Sequence, residues 1–143
     1  MLSRLKSVNK FKCMSVLTSL LYFYLFISLL FSPESVCKDF NITGSESIDL
    51  LARRVSSLML GFSALLFLIR NTPPSVVRQA IAFSVGLNMT GFALSGAFGM
   101  IHGLLRPSIL GVIAIEVFIA VVYFSFCLSD RRRMKGYRGP DHH

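Results

Sequence analysis

Between Val76 and Leu105 the chain stays apolar for longer than a bilayer requires. About 20 residues of helix suffice to cross the hydrocarbon core. The same stretch carries small residues at helical spacing. Gly91, Ser95, Gly99 and Gly103 fall one turn apart, and Ala82, Gly86 and Thr90 form a second, offset row. Lipid supplies no hydrophobic drive between helices, so such rows act by letting backbones approach closely. The stretch therefore predicts a buried central transmembrane helix, with Gly91, Ser95, Gly99 and Gly103 as its packing face. Asn88 shares that face one turn earlier, and His102 continues it.

Three further apolar runs complete the pattern. The spans are about 14–32, 50–69, 76–102 and 108–128, with a polar, disordered tail over 129–143. Only 15% of the residues are charged and mean hydropathy is +0.63. With 143 residues in one domain, this predicts an all-α polytopic membrane protein, a four-helix transmembrane bundle. The net charge of +8 does not indicate nucleic acid, because the basic residues lie mainly at the chain ends and in one short loop. Of the fifteen Lys and Arg residues, eleven fall on the side holding the termini. Lys38, Arg53, Arg54 and Arg106 make up the other side. That asymmetry predicts both termini in the cytoplasm.

Taken in order, the basic start and first apolar run read as an uncleaved span. A signal peptide and a mitochondrial targeting segment are the alternatives. This span lacks glycine, which places it at the periphery with aromatic side chains toward lipid. Pro33 ends it, and 32–49 reads as a loop carrying a glycosylation sequon at Asn41-Ile42-Thr43. Thr43 and Glu46 can form a capping box for the second span. There Arg53 and Arg54 stand at the outer end, either snorkelling to headgroups or meeting an anion. Ser57, Gly61 and Ala64 offer a packing surface to the central helix. Thr72 or Ser75 caps the third span, and Arg106-Pro107-Ser108 turns into the fourth. Cys13, Cys37 and Cys127 include no CxxC pair and read as unbridged.

The candidate buried polar site is Glu116, Asn88, Arg54, His102 and Tyr123. Glu116 lies near the middle of the last span, where an acid costs about 2.5–3.5 kcal/mol and needs a partner. An Asn88–Glu116 hydrogen bond is the preferred pair, then Arg54, then His102. Glu116 acts either as a proton- or cation-coupling carboxylate or as a structural acid joining two helices. Haem ligation, thiol redox, zinc binding and triad catalysis lack their residue sets, so no cofactor, metal site or enzyme activity is expected.

The span ending in Ser32-Pro33, the Ala52-Arg53-Arg54-Val55 run and Arg70-Asn71-Thr72-Pro73-Pro74 together resemble small four-span bacterial membrane proteins. That resemblance covers roughly residues 14–128 and implies a fold without a reaction. Four spans with one membrane glutamate also resemble small multidrug resistance transporters, which carry the acid in the first span. The expected function is a structural or accessory membrane protein, an oligomer or a subunit of a larger complex. The alternative is a small proton-coupled transporter or channel using Glu116. The expected membrane is the bacterial inner membrane, with mitochondrial or endomembrane locations as alternatives. The bilayer, a membrane-protein partner and a second copy are the expected contacts.

Overall fold

A computed structural model describes residues 2–39, 45–107 and 109–135. They form α1 (Leu2–Phe31), α2 (Pro33–Asp39), α3 (Glu46–Ile69), α4 (Val76–Ile101) and α5 (Ile109–Lys135), with no strand among them. Four of these helices are long and apolar enough to cross a membrane: Asn9–Phe31 within α1, α3, α4, and Ile109–Arg132 within α5. Several ends differ from expectation. The 32–49 stretch is not all loop, because α2 starts at Pro33, where a fixed φ and a missing N–H suit a first helical turn. Helix α3 is capped by Ser45, whose hydroxyl accepts from the Ile48 amide. Thr43 and the sequon lie outside the described residues, as does Ser108. Helix α5 runs on through Lys135, past the expected boundary at 128. The remainder of the predicted tail, 136–143, also lies outside the described residues.

The helices associate in two antiparallel pairs, α1 with α3 and α4 with α5. Serines join the first pair: Ser19 donates to the Ser63 carbonyl (2.8 Å) and Ser63 donates to the Ser19 carbonyl (2.9 Å). The second pair closes on small residues. A Cβ at Gly86 would stand 3.1 Å from the Phe124 ring, and one at Gly96 would stand 2.9 Å from Ile113. Thus α4 faces α5 with Ala82, Gly86, Ala93 and Gly96, which takes in part of the offset row. Of the expected packing face, Gly91 meets nothing within 4 Å and Ser95 is exposed. Gly61 on α3 is likewise open. Gly99 is covered by Leu105 from its own turn, at 2.6 Å from a built Cβ. Gly103 has a different job. Its φ of +67° ends α4 while Leu104 N–H bonds to the Gly99 carbonyl and Gly103 N–H to that of Met100. That is the Schellman geometry, which a residue without Cβ adopts at least cost.

The first span turns Phe23, Tyr24 and Phe31 outward, as expected, but it also buries one face. On α1, Phe11, Ser15, Thr18 and Tyr22 recur at spacings of four, three and four, and all are buried. Phe11 packs edge-on against Phe126 and Tyr123 of α5. Tyr22 stacks on Phe62 of α3 and binds Asn88 of α4. Glycine is unnecessary here because small hydroxyl side chains provide the close approach. The Phe11–Phe126 contact also puts the start of α1 and the end of α5 at the same end of the bundle.

Candidate functional site

The site is organised by α5. Glu116, Tyr123 and Asp130 stand seven residues apart, so they share one face at steps of roughly 10.5 Å. The charged contact is at Asp130. It lies opposite Arg78, which the first turn of α4 orients; Ser75 caps that turn by accepting from the Arg78 amide at 3.2 Å. Arg78 Nε donates to Asp130 Oδ2 at 2.6 Å and Nη2 donates to Oδ1 at 2.7 Å. Arg78 Nη1 also donates to the Thr72 carbonyl, and the guanidinium lies 4.4 Å from the Phe11 ring centre. Both charged side chains are fully buried. Bidentate geometry and the aromatic face replace the water that each ion has lost.

One step along α5, the Tyr123 ring is fully buried. Its hydroxyl faces those of Ser15 and Thr18, and none of the three meets a partner at full hydrogen-bond geometry. Alongside, Asn88 Nδ2 donates to the Tyr22 hydroxyl at 2.8 Å. The exposed hydroxyls of Ser84, Ser95 and Ser125 each bond a carbonyl four residues back, as does that of half-buried Thr90. They therefore place no unpaired polar group on the surface that would meet lipid.

Glu116 does not pair with Asn88. The α4–α5 register sets Gly86 against Phe124 and Gly96 against Ile113. Glu116 therefore lies level with about residue 94, six residues or roughly 9 Å from Asn88 along the axis. The carboxyl instead lines a groove of about 240 Å³ with Ser95, Phe92, Leu105 and Ile113. Arg54 is exposed on α3. His102 is exposed as well, caps α4 and sits 4.3 Å from the Phe98 ring. Of the five candidates, then, Glu116 and Tyr123 share a face, Asn88 joins through Tyr22, and Arg54 and His102 stand apart. Arg78, Asp130, Tyr22 and the α1 hydroxyls join the site with no expectation from the sequence behind them. The seven-residue spacing of Glu116, Tyr123 and Asp130 is the signal that could have found Asp130. No group of three or more His, Cys, Asp or Glu side chains that could hold a metal exists among the described residues.

These features define the class: an all-α bundle whose four apolar helices fit a membrane protein, with its polar contacts turned inward. No known protein family, curated protein or solved structure matches the chain.

Proposed function

We propose that the protein is a non-enzymatic, accessory integral membrane protein that works by lateral association with a membrane-protein partner or a second copy of itself. The observation that carries this reading is the pair of open glycines, Gly61 on α3 and Gly91 on α4, each with empty space where a side chain would stand. With Ser57 and Ser95 beside them, they leave two faces where another helix could approach closely. Eleven of fifteen basic residues at the terminal end favour both termini in the cytoplasm, and the bacterial inner membrane is the setting that fits best. Purification in mild detergent followed by cross-linking tests the reading. Oligomers or a stoichiometric partner are expected, and Gly91→Leu or Gly61→Leu reduces them. A strictly monomeric species with nothing co-purifying would overturn it.

A second reading, proton-coupled transport or a channel, is favoured by one observation. Glu116 is only half-buried and lines a groove with largely apolar walls. A transport carboxylate must be reachable and must change protonation. Glu116→Gln and Glu116→Ala in reconstituted vesicles separate the cases. Loss of a pH-driven flux with Gln, the fold being kept, supports transport. Retention of flux with Gln and loss of the fold with Ala reduces Glu116 to a structural acid.

A further inference from the structure

At the terminal end of the bundle, α4 and α5 part on their outer side to form a groove of about 530 Å³. Its walls are Ala80, Phe83, Phe124 and Leu128, with Phe83 and Phe124 meeting edge-on at 5.9 Å. Gln79 and Arg131 stand at its rim. Arg131 is the last residue but one of the apolar span of α5, while Phe124 lies seven residues deeper, roughly 10.5 Å toward the bundle centre. The groove thus has a cationic mouth at the depth of headgroups and an apolar floor at the depth of acyl chains.

Two details bias the mouth toward anions. Asp130 is the acid next to Arg131, but both of its carboxylate oxygens are engaged by Arg78. It therefore leaves the Arg131 charge in place. Helix α4 also begins at the rim, with Val76 lining the groove, so the positive end of that helix points to the same spot. Basic pockets between membrane helices at the cytoplasmic end recognise anionic headgroups. The volume falls within the range of ordinary small-molecule sites.

We propose that this groove binds one anionic phospholipid. Its phosphate is held by Arg131, Gln79 and the start of α4, and one acyl chain lies against Phe83 and Phe124. The site is independent of the association faces at Gly61 and Gly91. The test is native mass spectrometry of the full chain from mild detergent, supplied with equal amounts of dioleoyl phosphatidylglycerol and dioleoyl phosphatidylcholine. The wild type retains the anionic phosphatidylglycerol preferentially. Arg131→Gln reduces that preference about fivefold, the equivalent of about 1 kcal/mol for one basic residue near the surface. Arg132→Gln, which removes the same charge outside the groove, leaves most of the preference intact. Ala80→Phe fills the floor and lowers retention of both lipids. Circular dichroism confirms that each variant is folded. Equal retention of the two lipids by the wild type overturns the proposal. So do equal losses from Arg131→Gln and Arg132→Gln, undiminished binding in Ala80→Phe, or full displacement of lipid by inorganic phosphate.

Discussion

Removing one member of the Arg78–Asp130 pair leaves a charge buried among Phe11, Thr72 and the α4–α5 interface. In Asp130→Ala the guanidinium keeps its bond to the Thr72 carbonyl and the Phe11 face but loses both carboxylate contacts. Breaking a buried pair in this way costs about 3–5 kcal/mol. The Phe11 face retains about 2 kcal/mol of cation–π attraction at a desolvated site, so the lower half of that range is expected. At 1.36 kcal/mol per tenfold, a loss of about 3 kcal/mol shifts the unfolding equilibrium by about two orders of magnitude. Replacing both partners, as in Arg78→Leu with Asp130→Leu, removes the desolvation penalty along with the attraction. It should return most of the loss. SDS titration in mixed micelles, followed by circular dichroism, measures all three variants. The reasoning is refuted if Asp130→Ala costs less than about 1 kcal/mol, or if the double variant is as unstable as the two single variants added together.

Other perturbations follow from individual contacts. Ser63→Ala removes one of the reciprocal bonds between α1 and α3 and should cost about 0.6 kcal/mol, an average value for such bonds in membrane helices, by the same titration. Tyr22→Phe leaves the half-buried Asn88 amide without its acceptor and should cost about 1–2 kcal/mol, whereas Tyr22→Phe with Asn88→Leu recovers part of it. Gly86→Leu drives a side chain into Phe124 and should destabilise the monomer, while Gly61→Leu has open space and should leave monomer unfolding nearly unchanged. Gly103→Ala should lower stability by about 1 kcal/mol, because its φ of +67° disfavours a Cβ.

The four spans are legible in the sequence because length and apolarity are local properties, and a bilayer demands about 20 such residues. Contacts between helices depend on register, which counting from predicted ends does not supply. Asn88 and Glu116 each fall near mid-helix, yet the Gly86–Phe124 and Gly96–Ile113 contacts set them about six residues, roughly 9 Å, apart in depth. Small residues posed a related problem. Two rows on α4 carry similar composition, and only packing against α5 distinguishes the used row from the open Gly91. Asp130 reads as the first residue of a charged stop-transfer run, but its bond to Arg78 draws it inside and carries α5 beyond the apolar segment. The hydroxyls of α1 reveal the buried face of that helix only when counted at spacings of four, three and four from Phe11.

In the proposed topology the chain crosses the membrane four times, with the Arg78–Asp130 end toward the cytoplasm. This topology is tested most directly by labelling single cysteines in a background where Cys13, Cys37 and Cys127 are replaced by serine. Lys12→Cys and Arg132→Cys should react with a membrane-impermeant maleimide only when the cytoplasmic face is opened. Lys38→Cys and Arg106→Cys should react from outside in intact cells. Labelling of positions 12 and 106 from the same side would contradict the four-crossing arrangement, and outside-only labelling at 12 and 132 would invert the orientation.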